Sequence, residues 1–229
     1  MKNEDYKLIS TVDINRTNLN DFLINIGQNE IGSSLEKLII EIGSISTLDD
    51  VARLWQYFIT NFKQNNENKI EKFRRTSEEI ATSKIWSGDS DAGTLLAPIL
   101  RANGIPTVYL QSAKLDWIKD LLENNVLKTS VRGHIFLEIF IDDEWILFDS
   151  TDGYFYYNYD VNNYSLPDNY YAFSKSLNGH EIGCYSLANN NAIMMRKFEN
   201  FNIDNYKSPN YEKIDLQDIS NDLNSRRKI

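Results

Sequence analysis

Three side chains in this sequence have types and spacing suited to shared chemistry: Asp89, His134 and Asp149. Asp89 lies in the polar run Ser87-Gly88-Asp89-Ser90-Asp91, directly ahead of an apolar stretch. That places it at or near a helix start, where free backbone N–H groups favour negative charge. His134 and Asp149 bracket two apolar runs separated by Asp142-Asp143. A two-residue turn there makes Ile141 face Glu144 and Phe136 face Asp149. His134 and Asp149 are then diagonal neighbours on one face, roughly 7–8 Å apart at the backbone. A one-residue slip of register would put them on opposite faces. An acid so placed fixes one tautomer of an imidazole and supports its charged form, as general acid–base chemistry requires.

The same segments resemble a known family. Ser87-Gly88-Asp89-Ser90-Asp91 and the apolar stretch Leu95 to Leu100 are similar to the nucleophile segment of transglutaminase-like domains. That segment reads Ser-Gly-Cys-Thr-Asp and continues to Arg-Ala-x-Gly-Ile-Pro, matched here by Arg101-Ala102-Asn103-Gly104-Ile105-Pro106. Gly133 to Glu138 and Trp145 to Thr151 resemble the family's histidine and aspartate segments. The resemblance spans Ser87 to Thr151 and implies a papain-like α+β fold with a Cys-His-Asp triad acting at amide bonds. It assigns the nucleophile position to Asp89, general base and acid to His134, and the orienting acid to Asp149. Two departures stand out: Asp89 replaces the cysteine, and Ala92-Gly93 replaces an aromatic–Ala pair. Counting back from Arg101 and Pro106 selects Asp89 rather than its neighbour Ser90.

In such a triad the helix N-terminus stabilises a thiolate, and the imidazolium pairs with it and later donates a proton. A carboxylate keeps the charge but is a weaker nucleophile, and its attack on an amide would give a labile anhydride. The chain is therefore expected to be inactive or nearly so, with Asp89 ion-paired to protonated His134. Asp89 is equally suited to cap the helix. Whether the aspartate is a natural loss, giving a pseudoenzyme, or a deliberate inactivating replacement is open at this level. Two uses follow: acyl transfer or hydrolysis at amides as the family's chemistry, or a non-catalytic module that keeps the cleft to hold a peptide or glutamine-like group. Asp89, His134 and Asp149 could together ligate a divalent ion. Asp149 would then lose its orienting role, so neither metal nor cofactor is expected.

The elements that must position these groups are readable in outline. Leu35, Leu38, Ile39 and Ile42 form a short amphipathic helix that Gly43 can end. Ser46 to Asp50 can start another, buried through Val51, Leu54, Trp55, Phe58, Ile59 and Phe62. Gln64 to Lys69 reads as a loop, and Thr76 with Glu79 as a capping box. The motif helix starts near Asp89 or Ser90 and ends by Asn103-Gly104, with Pro98 expected to kink it. Thr107 to Leu110 suits a short strand, Leu115 to Leu122 a helix, and Ile135–Ile141 with Glu144–Phe148 a hairpin whose sheet is covered on both faces. Ser186 to Phe201 suits a last helix, while Pro209 to Ile229 is polar and expected to fray. Trp86 and Cys184 read as buried packing residues.

The expectation is one α+β domain over residues 1–229: a helical part at about 15–75, a motif core at about 76–160 and a less certain extension at about 160–229. Composition agrees, with 41% hydrophobic and 25% charged residues in 229. A net charge of -9 argues against nucleic acid or an anionic membrane as partner. Met1 to Tyr6 lacks a signal-peptide pattern, no run is long enough to span a bilayer, and one cysteine excludes a disulfide framework. A cytoplasmic location and a peptide or protein ligand are the expectations; oligomeric state is not readable.

Overall fold

The computed structural model describes residues 8–65, 72–124 and 133–219. The helices are α1 (Ser33–Ile42), α2 (Leu48–Asn61), α3 (Ser77–Ser83), α4 (Asp89–Ala102), α5 (Leu115–Asn124) and α6 (Leu187–Phe198). The strands are β1 (Ile9–Ser10), β2 (Lys63–Gln64), β3 (Ile85–Trp86), β4 (Thr107–Lys114), β5 (Gly133–Ile141), β6 (Glu144–Asp149), β7 (Tyr154–Tyr157), β8 (Ser165–Leu166), β9 (Tyr170–Ser176) and β10 (Glu212–Asp215). The main sheet runs β1-β9-β4-β5-β6-β7-β10, with β8 on β9 and β2-β3 apart. It is antiparallel except where β1 lies parallel to β9.

Local chemistry sets the helix starts. Thr47 with Asp50, and Thr76 with Glu79, form reciprocal capping boxes at α2 and α3. Gly43 ends α1 at φ 81°, a conformation that favours glycine. The β5–β6 hairpin turns at Asp142-Asp143 and pairs Ile141 with Glu144 and Leu137 with Phe148. Alternation along β5 sends Ile135, Leu137, Ile139 and Ile141 into the core shared with the helices. Phe136 joins a second cluster on the opposite face with Leu110 and Leu147.

Helix α4 is the centre of the first core, with every residue from Ser90 to Arg101 buried. The helix continues across Pro98, and its neighbours satisfy the freed polar groups. Pro98 has no N–H for the carbonyl of Thr94; the buried Asn29 side chain donates to that carbonyl instead, at 2.7 Å. Asn25 Nδ2 likewise donates to the carbonyl of Pro98 at 3.3 Å. Just beyond, the buried Arg101 guanidinium donates to the carbonyls of Thr107, Ile24 and Leu177, tying three segments to the helix end. Gly93 lets α4 approach the sheet: a Cβ there would lie 2.9 Å from both Ile135 Cγ2 and Tyr109 Cε2. Tyr109, fully buried in β4, fills space that a larger residue on the helix would need.

In the C-terminal part the expected last helix is present as α6, beside a strand that the sequence reading did not assign. Tyr170–Ser176 is an inner strand between β1 and β4, although it carries Ser174, Lys175 and Ser176. Those polar groups are buried with partners. Lys175 Nζ lies 2.5 Å from Glu138 Oε1 and 3.1 Å from the Tyr159 hydroxyl, and Arg16 reaches the other Glu138 oxygen. Within the stretch expected to fray, Glu212–Asp215 pairs with β7 and Leu216 is fully buried. Residues 66–71 and 220–229 lie outside the described residues.

The Asn29–Pro98 pairing is testable. Asn29→Leu should destabilise the protein by about 1–3 kcal/mol in urea unfolding, because a buried carbonyl loses its donor. In a Pro98→Ala background the cost should shrink, since the restored backbone N–H can serve Thr94. Equal costs in both backgrounds would refute the compensation.

Candidate functional site

Asp89 is the first residue of α4, and the residue before it, Gly88, occupies the cap position at φ 136°, ψ -164° without a side-chain cap. Asp89 therefore is not the helix cap. Its Oδ1 accepts the adjacent Ser90 N–H, at 2.9 Å. The tie across this turn comes from the buried Asp91, whose Oδ2 accepts the Ser87 N–H and the Ser87 hydroxyl, both at 2.7 Å, and pairs with Arg75. Asp89 is left facing the sheet.

Across from it, His134 stands near the start of β5. Its Nε2 lies 2.9 Å from Asp149 Oδ2 and its Nδ1 lies 3.6 Å from Asp89 Oδ2. The three residues singled out in the sequence are thus brought together, with the imidazole between two carboxylates. An ionised carboxylate can only accept, so Nε2 carries a proton and Nδ1 is the nitrogen turned to Asp89. Phe136 meets the imidazole edge-on at 4.7 Å, and Tyr170 tilts over it at 5.2 Å.

Asp149 is held from behind. Its Oδ1 accepts the N–H groups of Thr151 and Asp152 at 3.1 and 3.0 Å, and its carbonyl accepts the Gly153 N–H. Gly153 has φ 76°, and a Cβ there would lie 2.2 Å from Trp55 Cζ2. The Gly153 carbonyl in turn accepts the Leu216 N–H at 3.0 Å. Neither Gly153 nor Leu216 was singled out in the sequence; the positive φ and the tight contact are visible only once the chain is folded.

Charge dominates the site. Burial opposes the imidazolium, but the charge and hydrogen bond of Asp149, joined by the charges of Asp89 and Asp152, raise the His134 pKa from 6.5 to about 9. At neutral pH it is cationic between the two aspartates. Burial, with the nearby Asp149 charge, raises the Asp152 carboxyl above its usual range. His134, Asp149 and Asp152 offer atoms within 4.8 Å of one another, the grouping among the described residues best placed for a metal. Asp152 rather than Asp89 completes it, and an ion there would have to displace the His134–Asp149 hydrogen bond.

Other candidates fall outside the chemistry. Ser90 is buried at 1% exposure with an unpartnered hydroxyl. Cys184 is fully buried, and burial pushes its thiol up to about 12. Trp86 is buried against Phe58 at 5.0 Å rather than lining the cleft. A small cleft open to solvent lies beside Asp89 and His134 and has Lys72, Gln111, Gly133 and Asn190 among its walls.

No protein-family model matches the sequence, and no curated protein matches it. Among solved structures, the chain is similar to one described as "a Putative Cysteine Protease from Cytophaga hutchinsonii". The TM-score is 0.50 at 15% identity, over 77% of this chain and 54% of that one. The chain thus spans about half of that protein's length. At this identity the likeness concerns the fold alone: a cysteine-protease-like α+β architecture with a mainly antiparallel sheet. No helix among the described residues is long and apolar enough to cross a membrane.

The charge arrangement sets a measurable pH dependence. In an NMR titration His134 should titrate near pH 9, and Asp149→Asn should lower that midpoint by roughly 1–3 pH units. Because the folded value lies above the unfolded 6.5, the pair's contribution to stability is full below about pH 6.5 and is lost as pH rises through about 9. A midpoint well below pH 6 would overturn the ion-pair description.

Proposed function

We propose that this cleft is an acyl-transfer site of transglutaminase-like type with Asp89 at the nucleophile's position, and that the chain as it stands binds a peptide-like ligand without covalent turnover. The observation that carries this reading is the imidazole held between Asp149 at 2.9 Å and the helix-start Asp89 at 3.6 Å. In an active counterpart the nitrogen facing residue 89 would take a proton from a thiol there and later return it to the leaving amine. Asp149 would keep the imidazole oriented and balance its charge.

With aspartate in place, the electrostatics of a resting thiolate–imidazolium pair are kept while the nucleophile is lost. An acyl–carboxylate anhydride would form slowly at an amide and return readily to reactants, so turnover by this route is not expected. The cysteine-protease-like fold supports the reading, as does the order of the three motif segments along the chain.

Asp89→Cys tests it. The new thiol should titrate below its ordinary value of about 8.5, visible as alkylation that persists toward acid pH. The buried Cys184 should give little background, with its thiol near 12. The variant should incorporate amines, deamidate or hydrolyse a glutamine-containing peptide, and adding His134→Ala should lower that rate by about 10²–10⁴-fold. A folded Asp89→Cys protein with an ordinary thiol and no acyl chemistry would leave a binding module, not a disabled enzyme.

A further inference from the structure

His134 and Asp149 form a charged pair, yet their side chains are only 11% and 5% exposed. Asp89 stands on the Nδ1 side of the imidazole, and Phe136 meets the ring edge-on. Its flat face is covered by Tyr170, whose ring plane is tilted from it by 31° at a centroid distance of 5.2 Å. The acyl-transfer chemistry gives this tyrosine no role.

Backbone register brings Tyr170 to the imidazole. Ser112 in β4 is paired with His134 on one side and with Ala172 in β9 on the other, so the three side chains share a sheet face. Tyr170 lies two positions before Ala172 and shares that face as well. Ser112 and Ala172 are small, which leaves room for the tyrosine ring to lean across β4. The turn Pro167–Asn169 sets where β9 begins. Asp168 and Asn169 both take positive φ there, 54° and 60°, which short polar residues tolerate better than most. Leu166 then pairs with Tyr170.

The ring has supports besides the imidazole. It meets Phe136 at 5.9 Å and packs on the apolar cluster that includes Leu110, Leu147 and Leu166. Lys114, its partner in β4, has Nζ 5.2 Å from the ring centre. Burial and the charges of Asp89 and Asp149 push the Tyr170 hydroxyl up to about 12, so the side chain adds no charge to the site at neutral pH. Water reaching the pair would compete for the Nε2 proton and screen the attraction behind it. An aromatic face excludes that water without offering a competing acceptor of its own beside the bond. A packed ring also restricts rotation of the imidazole, which positioning of a reacting group requires.

We infer that Tyr170 is a positioning residue: its ring keeps water from the His134–Asp149 bond and holds the imidazole with Nδ1 toward residue 89. Its use in catalysis rests on the proposed acyl-transfer function; the shielding does not.

The shielding is read in the chain as it stands, with Asp89 in place, from exchange of the His134 Nε2 proton with water by NMR at neutral pH. That proton should give a resolved signal in the present chain and in Tyr170→Phe, and should exchange about tenfold or more faster in Tyr170→Ala. Tyr170→Thr, better suited to a strand than alanine, should show the same loss where alanine disturbs β9. Unchanged amide exchange at Leu137 and Ile139 marks an intact core in each variant. In Asp89→Cys protein with acyl-transfer activity, adding Tyr170→Ala should lower kcat about tenfold with KM little changed, and Tyr170→Phe should keep the rate. The inference is overturned by a proton already in fast exchange in the present chain, by equal protection in Tyr170→Ala, or by a loss in Tyr170→Phe as large as in Tyr170→Ala. An Asp89→Cys protein without acyl chemistry whose proton still depends on Tyr170 removes the acyl-transfer reading and keeps the shield. An active one indifferent to Tyr170→Ala does the reverse.

Discussion

The structure depends on one constraint: α4 is buried on every side, so its polar groups must be satisfied by protein. An exposed helix can leave end groups and a proline-freed carbonyl to water, but this one cannot. The solution recruits remote segments. Asn29 and Asn25 come from the N-terminal part, Arg101 reaches back to Ile24 and forward to Leu177, and Asp91 ties Ser87 and Arg75 to the first turn. Each bond that compensates the helix also fixes its position, and so fixes where Asp89 points.

That placement separates two properties usually found together at a helix start. The negative charge at residue 89 is supported by the free N–H groups of the first turn and by the imidazolium opposite. Nucleophilic reactivity is a property of the atom placed there. The helix and hairpin therefore preserve an electrostatic environment whether or not bond-making follows. Further along β5, Glu138 is paired with Arg16 and Lys175. Burial works against its charged form, but the two cations more than offset it and hold its carboxyl below the usual range. Charge is buried at both places, and at each it is balanced by named partners.

What was legible in the sequence is what local rules determine. The helix start within Ser46 to Asp50, the capping box at Thr76, the end of α1 at Gly43 and the register of the β5–β6 hairpin depend on residues a few positions apart, and the structure has them as expected. The meeting of His134 with Asp149 followed from that register. What was not legible depends on distant partners. Lys175 in β9 looks unlike a core residue until Glu138 is beside it, and Glu212–Asp215 looks like a polar tail until β7 offers an edge. The relief of Pro98 was not readable because Asn29, the donor to the Thr94 carbonyl, lies 65 residues before Thr94. The capping role open to Asp89 went instead to its neighbourhood, because the cap position falls on Gly88 and Asp91 makes the tie.

Asp149 is oriented by a turn that ends at Gly153, which is pressed on Trp55 from one side and bonded to Leu216 from the other. The orienting acid of the site is thereby clamped between a residue of α2 and the chain beyond β10. Local opening at the site must then disturb contacts made by α2 and by the chain beyond β10, so its free energy should approach that of global unfolding rather than that of a surface loop. Hydrogen exchange at Thr151, Asp152 and Leu216 would report on that shared cooperativity. The short motif segments contain the chemical groups, but their alignment belongs to the cooperative unit as a whole.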